Sequence, residues 1–413
     1  MGRRKPAWIV LSAVAMATSG LAALAGAASA VTAVGSPASA PAPSCNAWTG
    51  HHPPYEVEIT GVVALSRCDV WATGRPGQTL TATSQTDLLH WNGQKWSLIT
   101  SPAVPVSSFG IAATSASDVW VAGSAQDPST QQELTLIGHW DGAAFSRVAS
   151  PDPAAAPAPN GLSGISATSP RTAWAVGQYS FYDPVYEVAW TWPLVVAWNG
   201  QTWTRAPAAI PPTMGGPSSF AVFLAVTARC VCDTWAAGDY EAQTANGEKQ
   251  LTLIERWNGH AWMIVASPNL RVPNQLNAVS ADAATDAWAV GWHGTVHETS
   301  ATLTERWNGH TWTIVPSPDP GHSDVLLGVA AVRPDNAWAV GFYIAKPGGR
   351  QQALLLHWDG KSWAQVAVPH FGPSYAPNLL QAVSASSPRN VIVAGFYSGV
   401  VGVGQQALVL HYG

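Results

Sequence analysis

A chain of 413 residues is long enough for two or three ordinary domains, but propellers and barrels use that length as one, so the repeat pattern has to decide. Only 10% of residues are charged, the formal net charge is -5 and 22 residues are Trp, which gives neither a basic binding surface nor a like-charge tail. Nucleic acid is therefore excluded as an expected partner.

Taken in chain order, Arg3, Arg4 and Lys5 precede an apolar run from Trp8 to Ala25 and then Ala28-Ser29-Ala30, the small-x-small pattern before a signal-peptidase cut. Residues 1–30 are expected to be a signal peptide and the protein to be secreted. The apolar run also approaches the roughly 18 to 20 residues that span a bilayer, so a membrane is an expected partner only if the segment stays uncleaved. Residues 31–44, rich in Pro, Ala and Ser, read as a linker. Cys45 follows Ala42-Pro43-Ser44 far beyond the apolar run, which does not match a lipid-attachment sequence.

From Cys45 to Gly413 one phrase recurs: a small apolar segment, a turn, Trp-Ala-Val-Gly or a variant, a variable stretch, then Trp-Asn/Asp-Gly-x-x-Trp and Pro. The first Trp recurs at Trp71, Trp120, Trp174, Trp235, Trp288 and Trp338, with Ile392 in the seventh place. The second recurs at Trp91, Trp140, Trp198, Trp257, Trp307 and Trp358, with Tyr412 seventh. Such spacing suits four-stranded blades and is too long for leucine-rich or tetratricopeptide units. Short β-branched runs bounded by Gly, Pro, Asn and Asp give four strands per copy. The fold class is thus all-β, a seven-bladed β-propeller over 45–413. Asn308-Gly309 reads as a two-residue type I′ turn, which would set Trp307 opposite His310 and Glu305 opposite Trp312. Each Trp buries about 150 to 250 Å², and the repeat Trp side chains are expected to wedge between blades.

The seventh copy stops at His411-Tyr412-Gly413, while Cys45-Asn46-Ala47-Trp48 and Pro53-Pro54 form an orphan half-repeat. The ring is therefore expected to close by an N-terminal strand joining the C-terminal blade, which leaves no sheet with an open edge.

Asp69-Val70-Trp71-Ala72-Thr73-Gly74 and Trp91-Asn92-Gly93-Gln94-Lys95-Trp96 resemble the strand and hairpin of kelch and galactose-oxidase-like propellers. The resemblance covers nearly all of 45–413, with a single Gly in most copies where that family has Gly-Gly. The Asn/Asp-Gly-x-x-Trp turn is also similar to the Asp-box hairpins of sialidase-like propellers, without their Ser-x-Asp start. Galactose oxidase chemistry needs copper and a cross-linked Tyr and Cys, and no residues here match that set, so the resemblance implies the fold and no cofactor.

Function is expected on the loops that vary between copies, those joining strands 2 and 3 and those joining blades, which emerge on one face. Blade 3 has the most distinctive, 179–193, whose Tyr179, Tyr182, Tyr186, Trp190 and Trp192 are candidate ligand-binding residues for stacking on a sugar or peptide. Alternation of its later aromatics also permits a strand extension that packs over its neighbour. His90, His139, His357 and His411 precede the second repeat aromatic and read as structural; His260 and His310 fall in hairpin turns. His293, His297 and Glu298 are potential metal donors but not at a spacing that converges on a strand, and no metal is expected. Among four cysteines, Cys45 with Cys68 is the expected disulfide, which leaves Cys230 and Cys232 either unpaired or joined to each other. No nucleophile elbow, phosphate loop, His-Glu-x-x-His or Cys-x-x-Cys motif is present, so no catalytic residue is assigned.

Two readings follow. The first is a monomeric, non-enzymatic binding module that recognises an extracellular glycan, peptide, protein or cell-wall polymer through its variable loops. The second is a hydrolase or lyase with its site over the central channel, which would require titratable side chains from several blades to converge there.

Overall fold

The computed structural model describes residues 53, 57–76, 87–99, 106–183, 188–214, 220–245, 247–295, 299–399 and 404–412. The chain divides after residue 42, and every described residue lies in the unit 43–413. All regular elements among them are β-strands, assembled as seven antiparallel sheets of consecutive strands. Blade 5 shows the plan: an inner strand Asn274–Ala283, then Asp286–Thr295, Thr299–Trp307 and a short outer strand Trp312–Ile314. The other blades run over 57–99, 106–148, 160–206, 221–264, 323–365 and 378–412. Six have four strands, and the seventh has three among the described residues. The expected closing strand from 45–54 lies outside them, apart from Pro53.

The inner strands stand side by side around one axis, with the seventh next to the first. Ser384 Oγ of blade 7 accepts a hydrogen bond from the Ala64 N–H of blade 1 at 3.0 Å. The same bond joins Ser166 to Ala228 between blades 3 and 4, and Ser280 to Ala331 between blades 5 and 6, each at 3.0 Å. The ring is therefore closed at its centre by the device that also joins blades within the chain.

In every inner strand the register slips by one residue at the same place, leaving out Thr60, Phe109, Ser163, Leu224, Asn277, Leu327 and Gln381 in turn. These bulges account for the glycine of Trp-Ala-Val-Gly. Beside the bulge the inner strand leans onto the second strand, so a Cβ on Gly291 would stand 1.9 Å from the Gln275 carbonyl oxygen and one on Gly341 1.9 Å from that of Val325. Gly341→Ala is expected to destabilise the protein by ~1–3 kcal/mol through overpacking, read as a lower urea midpoint. An unchanged midpoint would show that the two strands are not held this close.

The Trp pattern becomes a clamp. In blades 2 to 5 the strand-2 Trp is gripped by the two Trp side chains at the outer hairpin of the next blade. Trp235 meets Trp307 and Trp312 with ring centroids 5.1 and 5.2 Å apart, and Trp288 meets Trp358 and Trp363 at 5.0 and 4.9 Å. Trp120 and Trp174 are held in the same way. Ile392 of blade 7 clusters with Trp91 and Trp96 of blade 1, which carries the pattern across the closure. On its other side the strand-2 Trp is covered in five blades by His or Arg from strand 3, with Ala197 in that place opposite Trp174: His90 stacks on Trp71 and bonds Asp69, and Arg306 lies 5.2 Å above Trp288 and bonds Asp286. The histidines before the second aromatic thus belong to the packing of their own blades, as their repeat position implies.

The outer hairpin corrects the register expected from sequence. Trp307 pairs directly with Trp312, Arg306 with Thr313 and Glu305 with Ile314, so the loop has four residues rather than two. The reason lies in the Asn308 side chain, whose carbonyl accepts hydrogen bonds from the N–H groups of His310 and Thr311, each at 2.9 Å. This Asx turn needs positive φ only at Gly309, where φ is +94°.

Candidate functional site

The meander brings the strand 2–3 loops and the blade-to-blade connectors to one face, and the uniform turns to the other. On the variable face, connectors are pinned by buried asparagines at the start of inner strands. Asn160 Oδ1 accepts from the Ala154 N–H at 2.8 Å, Asn274 from Leu270 at 3.1 Å and Asn378 from Phe371 at 2.8 Å. These bonds fix the connectors that lead into blades 3, 5 and 7.

Blades 3 and 4 depart from the others. Their second and third strands are 12 and 11 residues long, against 8 to 10 and 5 to 9 elsewhere. Against the nine or ten residues of the second strands in blades 2, 5, 6 and 7, two to three extra residues at about 3.3 Å each extend these hairpins by roughly 7 to 10 Å. The connector between the two blades laces them together. Phe220 forms a bridge with Thr191 of the blade 3 hairpin and accepts from the Glu241 N–H of blade 4 at 2.9 Å, and Met214 bridges to Ala242.

The aromatic stretch of blade 3 is this strand extension. Tyr179 pairs with Trp192, Phe181 with Trp190 and Tyr182 with Ala189. Tyr179, Phe181, Trp190 and Trp192 therefore share one face, and Ser180, Tyr182 and Thr191 the other. Tyr179 is buried beneath Arg205, whose guanidinium lies 4.5 Å above the ring and donates to the phenol oxygen. Trp192 is half-buried and packs edge-on against Phe181 and Tyr179 in the cluster between blades 2 and 3. Trp190 is half-buried, and Tyr182 is 60% exposed. Tyr186 lies outside the described residues. Ser180 and Thr191 hydroxyls meet at 2.9 Å on the Tyr182 face.

The central channel has a different character. A cavity of about 290 Å³ is lined by Thr60, Ser163, Leu224, Asn277, Leu327 and Gln381, the residues left out by the bulges of six blades. None of them is ionisable. Carboxylates with displaced titrations lie in the blade walls and rim instead, and sequence reading did not single them out. Glu255 and Glu305 stand two residues before the second repeat Trp, where blades 1, 6 and 7 carry Leu89, Leu356 and Leu410. Burial pushes Glu255 up to about 8, against the pull of the Ala209 N–H that it accepts at 3.1 Å. Burial alone raises Glu305 well above the usual carboxylate range, and neither of its oxygens has a hydrogen-bond partner. Six residues after the outer-strand Trp, where the connector into blade 4 has Ala209, the connector into blade 5 has Pro268, which has no N–H to donate. Asp239, at the root of the blade 4 hairpin, is raised by burial to about 7 although Gln250 donates to it at 2.6 Å. Asp324 rises to about 6 through burial and the nearby Asp319. A signal for the two glutamates was present in the repeat itself, as an acid at a position that is uncharged in the other five blades and leucine in three of them.

His293 is half-buried at the end of a strand, while His297 and Glu298 lie outside the described residues. Among the described residues no group of three or more His, Cys, Asp or Glu side chains could hold a metal ion. Cys230 and Cys232 are joined in a disulfide with Cα atoms 5.3 Å apart, which resolves the choice left open for them. Cys68 is also disulfide-bonded, and the Cys45 half of its expected link lies outside the described residues.

No family model and no curated protein matches the chain. Solved structures match its architecture. YCF48 from Cyanidioschyzon merolae aligns at a TM-score of 0.51 with 16% identity, covering 89% of this chain and 98% of that one. A phage phi92 endosialidase aligns at 0.50 with 9% identity over 87% of this chain and 68% of its own. At such identities the likeness is one of fold.

Proposed function

We propose that this propeller is an exported carbohydrate-binding module whose recognition surface is the raised hairpin pair over blades 3 and 4. The observation that carries the reading is Tyr182, a ring 60% exposed on a strand extension, in a chain that buries most of its repeat tryptophans between blades. An exposed ring beside the Ser180 and Thr191 hydroxyls offers a sugar both a stacking face and hydrogen bonds. A surface with few charges suits a neutral glycan or wall polysaccharide better than a charged ligand. Export is supported by the N-terminal charged and apolar segment and by the Cys230–Cys232 disulfide, since disulfides persist in oxidising compartments. The kelch-type reading of the blade repeat belongs with this proposal.

Tyr182→Ala is expected to weaken binding to an immobilised polysaccharide about tenfold, roughly 1.4 kcal/mol, with the melting temperature unchanged. Trp190→Ala acts from the other face of the hairpin and is expected to have the smaller effect. Equal affinity of Tyr182→Ala and the parent chain would remove this hairpin as the binding surface.

A further inference from the structure

We infer that the Cys230–Cys232 pair is a thiol–disulfide exchange site, open to thiols in solution while the propeller stays folded. The pair spans the two-residue turn between the first and second strands of blade 4, on the face opposite the raised hairpins.

The turn does not need the bond. All seven blades build it in the same register, with Cys230 opposite Asp233 just as Ser115 is opposite Asp118 and Ala283 opposite Asp286. Its carbonyl is anchored in five blades by a strand-3 Trp N–H: Trp257 donates to Val231 at 2.9 Å, and Trp140, Trp198, Trp307 and Trp358 make the equivalent bond at 3.1 Å. Cys230 Sγ accepts from the Cys232 N–H at 3.3 Å, the place taken by Ser Oγ at Ser66, Ser115 and Ser169. Closing so short a loop also constrains the unfolded chain far less than a long-range disulfide does.

Access is open. Cys232 is exposed, Cys230 is half-buried, and Val231 between them is 64% exposed. In other blades the outer hairpin covers this turn closely: a Cβ on Gly142, Gly200, Gly309 or Gly360 would stand 2.7 to 3.2 Å from the facing side chain. On Gly259 it would stand 3.8 Å from the Cys232 Cβ. Cys232, the more exposed residue of the pair, is the one attacked. An incoming thiolate forms a bond to Cys232 Sγ, the Cys230–Cys232 bond breaks, and Cys230 leaves as a thiolate that takes a proton from water. A second thiolate then attacks the incoming sulfur, releasing the small disulfide and the Cys232 thiolate. Two external thiols are oxidised and one protein disulfide is reduced.

The test holds the full chain in reduced glutathione, quenches with an alkylating agent and maps the modified cysteines by mass, with melting followed in parallel. The expected result is alkylation of Cys230 and Cys232 at a melting temperature within error of the oxidised chain. Cys230→Ser, which keeps the turn bond of the serine blades, is incubated instead with oxidised glutathione, where the Cys232 thiolate should take one glutathione as a mixed disulfide and release the other as its thiolate. A peptide with a single cysteine, run alongside, distinguishes protein thiols from small thiols as the faster partner. The inference fails if the pair stays oxidised until the chain unfolds, or if Cys230→Ser folds and takes up no glutathione.

Discussion

Glu305→Leu is expected to stabilise the propeller by ~1–3 kcal/mol near neutral pH, because it removes a buried carboxyl group with no hydrogen-bond partner. Leucine already fills this position in blades 1 and 6 as Leu89 and Leu356, both fully buried. The gain should grow with pH. The acids Glu305, Glu255 and Asp239 titrate higher when folded than their ordinary values of 4.5, 4.5 and 3.8, so the folded state binds more protons than the unfolded one. The advantage of the protonated form is full below about pH 4 and is lost as pH climbs through about 7 for Asp239 and about 8 for Glu255, with Glu305 following in the same direction. Urea midpoints should therefore fall between pH 5 and pH 8.5 in the parent chain, and less steeply in Glu305→Leu. Glu255→Leu should gain less, since it would strand the Ala209 N–H. A flat pH dependence, or a loss of stability in Glu305→Leu, would mean that these acids reach water or a partner.

Trp288→Ala is expected to cost ~3–5 kcal/mol, the range for emptying a buried aromatic site. Trp288 is fully buried, gripped by Trp358 and Trp363 of the next blade and covered by Arg306 of its own. Removing it opens the wall between blades 5 and 6 and takes the aromatic partner from Arg306, whose ion pair with Asp286 at 2.6 Å would remain. Equilibrium unfolding in urea measures the loss. A cost under about 1 kcal/mol would show that the clamp collapses around smaller side chains and that its geometry is not what joins the blades.

The blade count, the strand count and the inter-blade role of the tryptophans were legible in the sequence because each is written several times over. A feature repeated in seven copies survives any local ambiguity, as the replacement of Trp by Ile392 and Tyr412 in the last copy shows. What sequence misread was local. Asn308-Gly309 signals a tight turn, and nothing in that dipeptide tells that the Asn side chain will accept two further N–H groups and lengthen the loop to four. The bulge opposite the Trp-Ala-Val-Gly glycine was invisible for a different reason: bulges depend on how inner strands converge on an axis, and the left-out residues Thr60, Leu224 and Gln381 share no chemistry. In the blade 3 stretch the alternation of aromatics allowed a strand, but which rings turn inward follows from pairing. Tyr179 is under Arg205 and Trp192 packs on Tyr179 and Phe181, while Tyr182 faces solvent.

Binding of the full chain to an array of cell-wall polysaccharides and glycans, with Tyr182→Ala printed alongside and a peptide array as the second arm, tests the proposed function most directly. The account predicts retention on a subset of neutral glycans that the variant loses, with the bound glycan recovered intact. Retention on peptides alone, binding that survives Tyr182→Ala, or release of cleaved sugar would contradict it.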